Sequence, residues 1–276
     1  PVLIGRDAFD RIERRQKVIK VIKRVFKDNQ GELTMNFQPI YDVKTKAFTH
    51  SEALIRLIDP ELGYIPPDEF IPITETIGYA DKVDEFALET TCKVLQNNPN
   101  IAEISVNISC AEFFDNPAKK FIDIISKYNI NPNRLCFEIT ETAAIKYPDK
   151  VDSFMKEMIK NGFSFAIDDF GTGYSNVSQI INKPFEIVKL DRSLLNEDKR
   201  NQIFLSSMVD LFKRLKTPMV IEGVETLEQL ANVKSLNIEY VQGYIFSKPL
   251  TEMDFVNFIN SKEEDWNIKS IVHLSI

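Results

Sequence analysis

Phe163-Ser-Phe-Ala-Ile-Asp-Asp-Phe-Gly-Thr-Gly-Tyr-Ser175 is the stretch on which the fold turns. Phe163 to Ile167 has the length and bulk of a strand buried on both faces, as in a parallel sheet, yet Asp168 and Asp169 follow it without a spacer. Two neighbouring carboxylates repel each other unless something positive shares them. Gly171 and Gly173 predict a tight, movable turn where a ligand or backbone comes close, which suits a lid or a metal loop. The competing reading is a plain polar turn after a core strand, since Asp and Gly are ordinary turn residues.

Outward from this strand the same rhythm repeats. Eight strand-like segments are expected: Thr34 to Tyr41, Ser51 to Leu57, Ile104 to Ser109, Leu135 to Thr140, Phe163 to Asp169, Ile187 to Arg192, Pro218 to Val224 and Tyr240 to Phe246. Between the later ones lie apolar residues at helical spacing, as in Phe154, Met155, Met158 and Ile159 or Phe204, Met208, Leu211, Phe212 and Leu215. Gly162 sits where a helix C-cap belongs, and Thr226 with Gln229 makes a capping box. Eight strands alternating with helices over about 250 residues is the rhythm of an α/β fold of the (β/α)8 TIM-barrel type. The link between the first two strands is too short for a crossover, so one of that pair is expected to run antiparallel. A doubly wound open sheet would carry a glycine-rich phosphate loop after its first strand, and none is present.

The 276 residues, 43% hydrophobic, allow one large soluble domain. A net charge of -7 excludes a broad nucleic-acid footprint. Cys92, Cys110 and Cys136 have no metal-ligand spacing and read as reduced structural thiols, which implies a cytoplasmic setting. No apolar run of about 18 residues and no signal peptide appear, so this segment itself is expected to make no membrane contact. The chain opens on Pro1 rather than Met, so it is expected to be a segment of a longer protein, with any membrane anchor of the full-length protein expected outside this segment. Residues 1–30 read as an amphipathic helix or linker, with Phe9, Ile12, Val18, Ile22 and Val25 at helical spacing. Residues 31–260 read as the barrel, and 261–276 as a C-terminal extension without assigned role.

In a barrel the chemistry comes from the C-terminal ends of different strands. Here every predicted strand carries a polar group in apolar surroundings: Gln38, Glu52, Asn107, Glu138, Asp168 with Asp169, Lys189, Glu222 and Gln242. A solvated barrel mouth accounts for one or two of these, and hardly for all. Glu52, Glu138, Asp168, Asp169 and Glu222 in one mouth need bound cations to offset their repulsion. The donors are oxygens, and His50 and His273 lie outside the set, so Mg2+ or Mn2+ suits them better than zinc. Such a site activates water and neutralises a phosphoryl group, with Lys189 as a lone positive charge. A metal-dependent phosphodiesterase follows from the residues; the identity of the diester does not.

At these residues the sequence resembles the EAL family of cyclic-di-GMP phosphodiesterases. The resemblance runs from about Phe37 to Leu250 and rests on Glu52-Ala-Leu-Ile-Arg56, Gln38-Pro39, Ser105-Val-Asn107-Ile-Ser109, Glu138-Ile-Thr-Glu141, Asp168 to Ser175, Lys189-Leu-Asp191, Glu222-Gly-Val-Glu225 and Gln242-Gly-Tyr244, in family order. It implies hydrolysis of cyclic di-GMP to linear pGpG with a two-metal site. Glu52, Asn107, Glu138 and Asp168 would hold the first ion, and Asp168, Asp169 and Glu222 the second. Glu222 is also implied as general base, Lys189 as partner of the catalytic water, Asp191 as its orienter and Glu225 as needed for full activity. A carboxylate favoured at a helix start is the plain alternative for Glu225. Gln38, Arg56 and Gln242 would meet substrate. Glu141 would anchor the loop through Ser175, with Thr172 and Ser175 as further fixed points. The resemblance also implies a homodimer and an upstream sensory or diguanylate cyclase-like domain, although no Gly-Gly-Asp-Glu-Phe signature is present. Phe37 and Leu57 stand where the family often has Tyr and Trp, changes that touch packing or base stacking. The rival class is a catalytically silent cyclic-di-GMP receptor, against which the intact acidic set counts.

Overall fold

Asp42 closes the first hairpin: its Oδ1 accepts from the amides of Lys44 (2.8 Å) and Thr45 (3.1 Å), and Lys46 takes the left-handed conformation at φ 56°. With four residues between them, strands β1 (Glu32–Asp42) and β2 (Ala47–Asp59) can pair only antiparallel. The computed structural model describes residues 6–28, 32–109, 117–172, 177–196 and 198–261. Preceding the hairpin is helix α1 (Arg6–Asp28); following it come β3 (Gly63–Ile65), α2 (Pro67–Ile77), α3 (Ala80–Asn97), β4 (Glu103–Asn107) and α4 (Ala118–Ile125). The chain continues through β5 (Leu135–Thr140), α5 (Glu141–Lys146), α6 (Pro148–Lys160), β6 (Ser164–Phe170), α7 (Val177–Ile180) and β7 (Ile187–Leu190). It ends with α8 (Lys199–Leu215), β8 (Met219–Ile221), α9 (Leu227–Ser235), β9 (Tyr240–Gln242), β10 (Leu250–Thr251) and α10 (Glu252–Asn260).

Strands β2 and β4 through β9 pair in parallel, and β1 closes the barrel by pairing antiparallel with both β2 and β9. The fold is an eight-stranded α/β barrel of the TIM type, with β1 as the one reversed strand. Short β3 and β10 add to its edges and escape any sequence pattern. Strand β6 shows why the barrel forms. Phe163, Phe165 and Ile167 are buried, and Phe165 packs with Phe137 and Phe154, each at a ring separation of 5.7 Å. Each such phenylalanine, once buried, contributes about 2 to 3 kcal/mol. The alternate residues Ser164, Ala166 and Asp168 are small or polar and belong to the barrel interior.

β2 overruns the barrel. Only His50 to Ala53 pair with β4, while Leu57 to Asp59 continue against β3. Val18, Val21, Ile22 and Val25 of α1 pack there against Leu57, Ile65, Phe70 and Ile73. Arg14 forks onto Glu69 (2.8 and 3.0 Å), and Arg24 pairs with the buried Asp59. Phe9 and Ile12, expected on the same apolar stripe, are 60% and 51% exposed, because the domain does not extend beneath the first half of the helix.

The family departures fall in packing positions. Phe37 is fully buried and stacks on Phe255 of α10 at 5.5 Å, and Leu57 is buried under α1. Cys92 and Cys136 are buried free thiols. Cys110, Ser175, His273 and the extension from residue 262 onward lie outside the described residues. No helix among the described residues is long and apolar enough to cross a membrane.

Candidate active site and metal centre

Sheet register brings the expected polar residues to one level. Gln38 stands opposite Glu52, Asn107 beside Glu138, and Asp168 beside Thr140, two register positions further along its strand. Asn107 Nδ2 donates to Glu52 Oε1 (2.9 Å), and Gln242 Nε2 donates to Glu52 Oε2 (2.7 Å) and Gln38 Oε1 (3.1 Å). Gln38 Nε2 donates in turn to the Ser247 carbonyl (3.2 Å).

The centre of the cluster is Lys189. Only 1% exposed, its Nζ lies 2.8 Å from Glu138 Oε2, 2.8 Å from Glu222 Oε1, 3.1 Å from Asp168 Oδ1 and 3.3 Å from Glu52 Oε2. Burial alone would drive the ammonium toward neutrality, but Asp168, Glu138, Glu222 and Glu52 together raise its pKa well above the ordinary lysine value. For Glu52, burial opposes ionisation, yet Lys189 and the hydrogen bonds from Gln242 and Asn107 prevail and hold it below the usual range. Burial and the Glu52 charge push Glu138 well upward. Glu222 is pushed to about 8, mainly by burial and then by Asp168 and Glu52, with Lys189 opposing. Asp169 rises to about 6 through burial and the charges of Asp168 and Asp191. One ammonium therefore does not neutralise the group.

The donor set fits a divalent cation. Asp168, Asp169 and Glu222 each offer an oxygen within 4.8 Å of the others. Asp168 Oδ1 is buried without a hydrogen bond among the described residues; Lys189 Nζ lies 3.1 Å away outside bonding geometry. Glu52, Glu138 and Asp168 do not come within 4.8 Å of one another as a set but share the Lys189 ammonium, and Asn107 would have to turn its amide to present Oδ1 beside them. All these donors are oxygens, the chemistry of Mg2+ or Mn2+.

The start of the glycine loop, through Thr172, is held by side-chain contacts. Glu141 opens α5 behind the Thr140 cap, is 3% exposed, and accepts the Gly171 amide on Oε2 at 3.1 Å. Asp169 lies in the left-handed region at φ 56°, and Thr172 Oγ1 donates back to its carbonyl at 2.9 Å. Asp191 accepts the Ser193 amide at 2.9 Å and caps the 3-10 turn Arg192–Leu195; it is not among the four carboxylates paired with Lys189. Arg56 is half-buried and donates to the Ile55 carbonyl, and Glu225 stands at the mouth with its amide bonded to Gln229.

Above the cluster opens a cavity of about 640 Å³, bounded by Glu52, Asn107, Asp168, Asp169, Glu222 and Gln242. This is a volume suited to a nucleotide-sized ligand. Its far wall is α2 and the start of α3, which contribute Asp68, Ile71, Pro72, Glu75 and Asp84. Strand-end reasoning missed that wall because its residues lie on helices. Asp84 carried a signal, an acidic residue on the buried stripe Val83, Ala87, Leu88; its Oδ2 accepts the Ser109 amide at 3.3 Å.

Comparison with known proteins matches the EAL domain over residues 22–249. PdeG of Escherichia coli K12, named as a probable cyclic di-GMP phosphodiesterase, is 30% identical over 245 residues, which cover 85% of this chain and 48% of PdeG. The cyclic di-GMP phosphodiesterase RocR of Pseudomonas aeruginosa is 29% identical over 238 residues, 83% of this chain and 60% of RocR. The solved PaMucR phosphodiesterase in complex with c-di-GMP has a TM-score of 0.81 at 25% identity, covering 87% of this chain and 99% of that one. This chain spans 29% to 48% of the length of the first curated relatives it matches.

Proposed function

The chain belongs to the EAL domain family, and from that premise we propose that it hydrolyses cyclic di-GMP to linear pGpG at a site for Mg2+ or Mn2+, lowering the second messenger. The observation that carries the reading is the convergence of Glu52, Glu138, Asp168 and Glu222 on a single ammonium, with Asp169 beside Asp168 and Glu222, at the floor of a nucleotide-sized cavity. Glu52, Asn107, Glu138 and Asp168 would hold one ion, and Asp168, Asp169 and Glu222 the other. Bound ions supply Lewis-acid activation of water and charge neutralisation at the phosphoryl oxygens. The water oxygen joins phosphorus, the bond to the 3′ oxygen breaks, and that oxygen leaves with a proton. Glu222 faces the cavity and is placed to take the proton lost by water. Gln242 Oε1, buried without a hydrogen bond among the described residues, is an acceptor open to a substrate N–H or hydroxyl. Residues 31–260 are the hydrolytic unit in this proposal, a homodimer joined through residues 1–30 to an upstream sensory or cyclase-like domain.

The test is conversion of cyclic di-GMP by the purified chain with Mg2+, with Mn2+ and with excess chelator. Metal-dependent appearance of pGpG is expected. Tight binding without turnover under either metal would overturn hydrolysis and make the chain a receptor.

A further inference from the structure

Lys189 occupies the position that metal binding would contest. Three of its partners, Glu52, Glu138 and Asp168, belong to the first proposed ion site, and the fourth, Glu222, to the second. An ammonium has three protons to share among these four carboxylates. An ion seated among Glu52, Glu138 and Asp168 would draw on the same oxygens that face Nζ at 2.8 to 3.3 Å. With Asp169 included, five carboxylates stand against one ammonium, and the remaining charge matches two divalent ions. The floor also leaves room for the ammonium to exchange partners. Beneath it lies a void of about 20 Å³, lined by Lys189, Glu138, Ser51, Ser105 and Cys136. Ser51 Oγ is buried there without a hydrogen bond among the described residues. That is space for about one water, which could bridge the hydroxyl and the ammonium.

We propose that Lys189 is a resident counter-ion of the metal-ligating carboxylates, one that stabilises the metal-free fold and that divalent ions must displace from part of its pairings. The proposal rests on the metal-site reading above. It makes Lys189 a competitor of the metal, whereas a lysine that merely positions ligands would strengthen metal binding. The two roles predict opposite signs on removal of its charge.

The experiment is Mn2+ titration of the natural chain and of Lys189→Met, read by the loss of the free-ion paramagnetic signal, alongside thermal denaturation in chelator and in Mn2+. Lys189→Met should bind Mn2+ at least tenfold more tightly, melt lower in chelator, and gain more from Mn2+ than the natural chain. The double variant Lys189→Met with Glu138→Gln removes one charge of each sign and should recover at least half of the chelator-state melting temperature. Equal or weaker Mn2+ binding by Lys189→Met overturns the proposal, as does a double variant no more stable than the single one. If Lys189→Met does not fold in chelator, folding on addition of Mn2+ together with folding of the double variant supports the proposal. Failure of both to fold under either condition overturns it, because Lys189 then acts through packing rather than charge. Absence of Mn2+ binding by the natural chain refutes the metal reading itself, whereas binding that the variant does not strengthen refutes only the counter-ion.

Discussion

Glu141→Ala separates anchoring from chemistry. The carboxylate touches none of the proposed ligands; it holds the Gly171 amide at 3.1 Å, two residues beyond Asp169. The described start of the loop, Asp169 to Thr172, is constrained elsewhere as well. Gly171 sits at φ 103°, a Cβ there would come within 2.9 Å of Leu194, and Asp169 keeps a left-handed conformation at φ 56° that costs a non-glycine residue about 1 kcal/mol. Removing a charge-assisted hydrogen bond to a half-buried backbone amide costs about 1.5 to 3 kcal/mol. That cost raises the population of unanchored loop by roughly 10- to 150-fold. Because Asp169 rides on this loop and Glu52, Asn107 and Glu138 do not, the second ion site should weaken by up to that factor while the first is untouched. The assay is turnover of cyclic di-GMP across a Mn2+ titration. The midpoint should move upward by roughly 10- to 150-fold with the plateau near that of the natural chain, and Glu141→Gln, which keeps a carbonyl acceptor at the same reach, should move it less. A plateau that falls more than about tenfold with an unmoved midpoint would refute the anchor, since the loss would then lie in the chemical step.

Glu52→Ala should abolish turnover while the barrel stays folded, because deleting one of four carboxylates around a single ammonium relieves repulsion; turnover comparable to the natural chain would remove Glu52 from the ligands. Gly243→Ala would set a Cβ 2.0 Å from the Val224 carbonyl oxygen, a backbone clash no rotamer relieves, so urea unfolding should show a loss of about 1 to 3 kcal/mol or more; an unchanged midpoint would contradict that packing. Glu103, near the closed end of the barrel, is pushed by burial from its ordinary value of 4.5 to about 7, with the Ser164 hydroxyl opposing and Glu186 adding to the rise. The folded state thus holds a proton that the unfolded chain releases, so this group's contribution to stability falls as pH climbs from 4.5 through about 7, by on the order of 2 to 3 kcal/mol. Glu103→Gln should accordingly raise the melting temperature in chelator at pH 8 and change it little at pH 5, and an equal effect at both values would exclude the raised pKa.

The parallel strands were legible because burial on both faces leaves apolar runs, and the reversed strand because four residues cannot cross a sheet. What periodicity cannot supply is the opposing surface. Phe9 and Val18 occupy the same helical stripe in α1, yet only Val18 meets α2, and nothing within α1 distinguishes them. The overrun of β2 is hidden for the same reason. Leu54 to Asp59 continue the strand pattern of Ser51 to Ala53, and only the length of β4 decides where the barrel ends and the supporting ribbon begins.

The acidic site was legible as a set and not as a geometry. A polar residue on every strand follows from reading each strand in turn, but which side chains touch depends on the stagger between strands, a property of the closed barrel. Asp191 shows the difference. The resemblance implies that it orients Lys189, while what the structure shows is its Oδ1 accepting the Ser193 amide, because an aspartate before a helical turn finds an amide two residues on at almost no entropic cost. Lys189 instead reaches Glu138, Glu52, Asp168 and Glu222, partners 51, 137, 21 and 33 positions away by their numbering, which only closure of the barrel brings within 3.3 Å. Local chemistry thus fixes the caps and turns around the mouth, while the charge balance at its floor is a consequence of closure, and it is on that balance that the proposed metal binding depends.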